Sequence, residues 1–119
     1  MPVRSLNSPV LIWPNRDQVD AAVRSWGESL KQSRPAVVRV GYFGSYARGN
    51  WGVGSDLDIV VIMTECELPP ERRGPAFDTI TGLPVPVDLL VYTEAEWEQL
   101  RAGRASFVRV IETEAVWVA

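Results

Sequence analysis

The sequence predicts a single α+β domain, and three observations carry that reading. Apolar runs rich in valine and isoleucine lie at residues 36–43, 56–64 and 85–92, the composition of strands. Between and around them lie stretches of helical spacing, two of which open on a capping-box pattern: Asn15 with Gln18, and Thr93 with Glu96. The length, 119 residues, suits one hydrophobic core and leaves little room for a second.

Residues 1–14 read as an irregular arm, with the remaining residues, 15–119, as the domain proper. The arm carries one apolar patch, Val10-Leu11-Ile12-Trp13, ended by Pro14, suited to adding an edge strand or covering the core. From Asn15 onward, Val19, Ala22, Val23, Trp26 and Leu30 recur at helical spacing, so one apolar stripe runs along a helix over 16–33. Gly27 inside it costs about 1 kcal/mol relative to alanine, and Pro35 closes the segment. Residues 36–43 form a first strand that feeds the Gly44-Ser45 turn. Residues 46–48 start a short helix that Gly49 ends, and 50–54 are a glycine-rich loop. The second strand, 56–64, is apolar on both faces after an acidic start, as a central buried strand is. Pro69 and Pro70 open a helix expected to reach about Thr79. The third strand, 85–92, carries Asp88 at its middle. A helix follows from the Thr93 cap through Leu100, where Gly103 can terminate it. One or two further helical turns around 107–112 precede a short terminal strand at 115–118. The chain has no repeats and no low-complexity tract.

Composition removes several classes of chemistry. With no histidine and one cysteine, Cys66, the chain has no Ser-His-Asp triad, no histidine acid–base chemistry, no cysteine-cluster metal site and no internal disulfide. Catalysis would have to come from carboxylates, hydroxyls, lysine or arginine, and a bound ion. The net charge of −3 argues against direct gripping of DNA or RNA, which usually needs a basic face, but a metal can neutralise a nucleoside triphosphate locally. No apolar run approaches transmembrane length and the N-terminus lacks the layout of a signal peptide, so a cytoplasmic setting is expected.

The chemistry concentrates in Gly44-Ser45-Tyr46-Ala47-Arg48-Gly49 and Ser55-Asp56-Leu57-Asp58. A turn between strand and helix presents backbone N–H groups to an anion. Gly44 lets a phosphate approach without a Cβ in the way, Ser45 can donate to a phosphate oxygen, and Arg48 can grip one bidentately. Side chains at i and i+2 of a strand share a face, so Asp56 and Asp58 project together. Two such carboxylates repel unless a cation sits between them, and Mg²⁺ commonly bridges carboxylates to substrate phosphates. Asp88 repeats the anomaly inside a second apolar run. If the two runs pair, three acids gather into one oxygen-ligand site for one or two Mg²⁺ ions, and Asp88 can take the proton of an attacking hydroxyl.

These residues, with five spacers between Gly49 and Ser55, closely resemble the minimal nucleotidyltransferases of the DNA polymerase β-like superfamily. The resemblance implies a mixed sheet flanked by helices, Mg²⁺ at Asp56, Asp58 and Asp88, and nucleotide phosphates at Gly44 and Ser45, with Arg48 and Ser55 beside them. Members of this group are often encoded beside a helical HEPN-domain protein, as antitoxin and toxin, and some transfer AMP from ATP to a tyrosine of that toxin. The expected activity is therefore Mg²⁺-dependent transfer of a nucleotidyl group from ATP to a protein acceptor. Two rivals stand beside it: a non-catalytic module that neutralises a helical partner, and a small-molecule nucleotidyltransferase of the antibiotic-modifying kind, for which a homodimer would have to complete the pocket. Trp51, in the spacer, reads as loop packing or as a base-stacking or partner-contacting residue. Five tryptophans in this length leave apolar surface for a homo- or hetero-oligomeric contact.

Overall fold

Asn15 begins the first helix with the expected reciprocal cap: its side chain accepts from the Gln18 N–H at 2.8 Å, and the Gln18 side chain accepts from the Asn15 N–H at 2.9 Å. The fold is that of a computed structural model describing residues 13–74, 76–77 and 82–119. Helix α1, Arg16–Ser33, buries Val19, Val23, Trp26 and Leu30. Strand β1, Val37–Phe43, runs into the four-residue helix α2, Ser45–Arg48. Strand β2, Leu57–Met63, is followed by helix α3, Pro70–Arg73, strand β3, Val87–Thr93, helices α4, Glu94–Ala102, and α5, Ser106–Glu114, and strand β4, Val116–Trp117.

Among the described residues the strands form one mixed sheet in the order β3-β2-β1-β4. Strand β2 lies parallel to β3 and antiparallel to β1, and β4 returns antiparallel to the far side of β1. As expected for a central strand, β2 is buried on both faces. Leu57, Ile59, Val61 and Met63 pack with the α1 stripe, while Val60 and Ile62 pack with Trp97 of α4 and Val108 and Ile111 of α5. The alternation follows from the two-residue period of a strand and gives three layers, with helices on both sides of the sheet.

Two details differ from the sequence expectation. The helix opened by Pro69 and Pro70 stops at Arg73 rather than running to Thr79. Gly74, with its high entropic cost in a helix, follows, and Phe77 donates its N–H to the Gly74 carbonyl at 3.0 Å in a turn. Residues 75, 78 and 79 of that expected helix, like the apolar patch at 10–12, lie outside the described residues. Asp88 is the second residue of β3, not its middle.

The α3 region is fixed instead by Arg73. Its side chain is only 4% exposed and forms a two-pronged pair with Glu96, one prong at 3.0 Å, while its Nε–H donates to the Leu68 carbonyl at 2.8 Å. Glu96 also closes the Thr93 capping box at the start of α4. This ion pair therefore joins α3, the end of β3 and the start of α4. At the other end of α4, Gly103 accepts the helix end with a negative φ, and the left-handed residue is Arg104, φ 59°.

Candidate active site

Register brings the two strand aspartates together. In the parallel pairing of β2 with β3, Asp58 lies opposite Asp88, on strands about 4.8 Å apart. Both share the period of Val60 and Ile62, so they project to the α4–α5 face of the sheet, at the end where β1 leaves for its turn. Asp56 precedes β2 by one residue and shares that period. Burial falls on Asp58 alone, which is half-buried, whereas Asp56 and Asp88 are exposed. The three acids differ in burial because only Asp58 sits inside the sheet, opposite Phe43 and Asp88. Asp56 lies before the strand, and Asp88 stands at the open end of an edge strand.

Burial raises the Asp58 carboxyl above the usual aspartate range, the neighbouring charges of Asp88 and Asp56 raise it further, and the Arg48 guanidinium acts in the opposite sense. Those four groups are thus close enough to interact. Their chemistry, hard anionic oxygens around a penalised carboxylate, fits a divalent cation of the Mg²⁺ type, which would relieve both repulsions. Among the described residues no group of three acid, thiol or imidazole side chains is already gathered to hold a metal ion. The acids are adjacent rather than converged.

The turn beside them is shaped for close approach. Gly44 has φ 80° and ψ −150°, a backbone state that side-chain-bearing residues rarely adopt. A Cβ there would come within 2.2 Å of Asp58 Oδ2. The absent side chain therefore makes the room in which the Asp58 carboxylate lies. Ser45 opens α2, and its carbonyl accepts from the N–H groups of Gly49 and Asn50 at 2.9 and 3.1 Å, which closes the turn. Ser55 serves the loop: its hydroxyl accepts from the Gly52 N–H at 2.8 Å. Tyr46 points into the core and is fully buried. Its hydroxyl accepts from the Trp13 indole N–H at 2.8 Å, and its ring stacks on Trp51, with centroids 5.5 Å apart and planes 9° from parallel. Trp51 is thus loop packing, and Trp13 shows the end of the arm seated on the core.

One site neighbour escapes the motif. Glu114, the last residue of α5, accepts through Oε1 from the Gly44 N–H at 3.2 Å and from Arg48 Nη1 at 3.0 Å. The sequence carried one faint signal for it. The last turn of α5 contains acids and no base, the wrong sign for a helix C-terminus, so Glu114 called for a partner elsewhere.

Comparison with known proteins places this geometry in a class. The family model described as the nucleotidyltransferase domain matches residues 24–118, and the chain belongs to that family. Solved structures share the fold. One described as a candidate nucleotidyltransferase from Sulfolobus solfataricus aligns at TM-score 0.61 and 23% identity, over 86% of this chain and 80% of its own. A toxin–antitoxin solved with AMP-PNP aligns at TM-score 0.56 and 21% identity, over 89% and 73% of the two chains. A mutant of the toxin–antitoxin MntA-HpeT aligns at 0.56 and 19%, over 81% and 71%. No curated protein matches the chain. Among the described residues no helix is long and apolar enough to cross a membrane.

Proposed function

We propose that this chain is a Mg²⁺-dependent nucleotidyltransferase that moves AMP from ATP to a protein acceptor, a tyrosine of a HEPN-type toxin, and so acts as its antitoxin. The observation that carries the catalytic part is the opposition of Asp58 and Asp88 across β2 and β3, with Gly44 lying against the Asp58 carboxylate. The acceptor and partner rest on the motif resemblance and on the shared fold with structures described as toxin–antitoxin, one of them carrying AMP-PNP.

On this reading Asp56, Asp58 and Asp88 would hold the metal, which would neutralise the triphosphate and the charge that develops at phosphorus. The Gly44-Ser45 turn and Arg48 orient the phosphates, with Ser55 fixing the loop beside them. The acceptor hydroxyl oxygen bonds to the α-phosphorus, the bond to the β-phosphate oxygen breaks, and pyrophosphate leaves. A carboxylate oxygen of Asp88, which is exposed at the edge of the sheet, takes the hydroxyl proton. The acidic chain favours a partner that presents a basic face around its tyrosine.

The binding-module reading draws on one observation, that the acids are not gathered as a metal cluster among the described residues. Co-expression decides between the two. With the neighbouring helical protein, ATP and Mg²⁺, the partner should gain the mass of AMP on tyrosine. The Asp56→Asn chain should bind the partner and leave its mass unchanged. Equal neutralisation by parent and variant, with no mass gain in either, would favour the module. Asp58→Asn gives a metal readout without a partner: Mg²⁺ should raise the melting temperature of the parent and not of the variant. An equal Mg²⁺ response in both would remove Asp58 from the metal site.

A further inference from the structure

We infer that Glu114 is a positioning residue for the nucleotide's phosphates, a role that rests on the nucleotidyltransferase reading above. A single oxygen, Oε1, accepts from both ends of the turn: from the Gly44 N–H at 3.2 Å and from Arg48 Nη1 at 3.0 Å. Ser45, the hydroxyl donor of the motif, lies between those two anchors. The Arg48 side chain is 47% exposed, and a long exposed side chain held by nothing else samples many rotamers. The Glu114 carboxylate holds it by a charged hydrogen bond of 3.0 Å, in the position from which its charge acts on Asp58.

Glu114 owes its place to packing rather than to local preference. Helix α5 is seated by Val108 and Ile111 on the Val60 and Ile62 face of β2. Its continuation enters β4, where Trp117 pairs with Gly41. The end of α5 is therefore held between the buried Val108 and Ile111 and the strand pairing of β4, and a carboxylate at that end is delivered to the turn as a strut. Groups fixed before the ligand arrives lose little freedom on binding. The strut, which takes up the Gly44 N–H itself, therefore raises affinity by fixing the turn and the Arg48 guanidinium, whose other N–H donors serve the phosphate beside the Ser45 hydroxyl.

The test is ATP affinity, measured by calorimetry with Mg²⁺ on the full chain, beside the melting temperature without ligand. Glu114→Ala should weaken ATP binding by about tenfold, and Glu114→Gln, which keeps an oxygen for Gly44 but loses the charge facing Arg48, by about threefold to tenfold. In an Arg48→Ala background the further loss of Glu114 should cost less than about threefold, since the side chain it positions is gone. A purely structural role predicts additive losses instead, and additivity would overturn the assignment. So would parent-level or tighter binding by the Glu114 variants while the parent binds ATP. If Glu114→Ala does not fold, Glu114→Gln decides by the same criterion. A parent that binds no ATP would sink the nucleotidyltransferase reading itself, and this inference with it.

Discussion

Asp58 and Gly44 form the tightest juxtaposition in the site, and each makes sense only beside the other. The carboxylate is half-buried at the head of a central strand, and it fits because the turn residue opposite has no Cβ. Gly44→Ala therefore meets two obstacles at once: a backbone at φ 80° and ψ −150°, which costs a residue with a Cβ about 1–3 kcal/mol, and a contact of 2.2 Å with Asp58 Oδ2. The expected outcome is a less stable chain, seen as a lower melting temperature, that has also lost nucleotide affinity because Asp58 must swing away. Unchanged stability and affinity would show that turn and carboxylate are independent. Among the site acids, Asp56-x-Asp58 was legible from its spacing, and Asp88 from its isolation in an apolar run. Glu114 left only the faint signal of an acid at a helix C-terminus, which calls for a partner but does not say which distant amide or guanidinium supplies it.

At the scale of elements, the two capping boxes were readable because each is a local code, four residues long and satisfied by backbone geometry alone. The second does more than its sequence announces. Glu96 caps α4 and also pairs with buried Arg73, which holds its carboxyl down to about 2 from an ordinary value of 4.5, the hydrogen bond from Arg73 being the largest cause. The sign follows from linkage: a carboxyl with a lowered folded pKa contributes stability above its unfolded pKa and loses it as pH falls through the folded one. The parent should therefore lose stability progressively from about pH 4.5 toward pH 2. Glu96→Gln should be less stable at neutral pH and show a shallower acid limb in denaturant melts taken across that window. Parallel acid limbs in the two chains would mean the pair contributes nothing to acid sensitivity. The α3 helix stops short of Thr79 for the complementary reason: a pair of prolines starts a helix, but the chain needs residues that favour continuing it, and Gly74, though its own backbone is still helical, is costly there.

Across the whole molecule, the sheet is closed by a return that spans most of the chain. Strand β4 comes back from residue 116 to pair with β1, and the approach leaves no space over Gly41, where a Cβ would lie 2.7 Å from Trp117 Cε3 and 3.0 Å from the Val116 carbonyl. The guanidinium of Arg39 lies over the Trp117 ring, 3.7 Å from its centroid. Gly41→Ala should push Trp117 out of register and cost about 1–3 kcal/mol, the range for forcing atoms into a packed site. Thermal melts would read the loss, and tryptophan fluorescence should shift as Trp117 gains solvent. A variant as stable as the parent, with native fluorescence, would show that β4 does not depend on that glycine.

Sequence alone determined the α+β class, the long amphipathic helix, the central strand and the acid motif, since each is encoded in period, capping or spacing along a short stretch. The family was legible for the same reason: its motif is contiguous, and the match over residues 24–118 agrees with it. Only the tertiary structure decided which strands are neighbours, and with that the opposition of Asp58 to Asp88, the different burial of three acids that look alike in sequence, and the seating of Glu114 on the turn from Gly44 to Arg48. Pairing between residues far apart in the chain is set by the packing of whole faces. No local pattern records which distant face will fit.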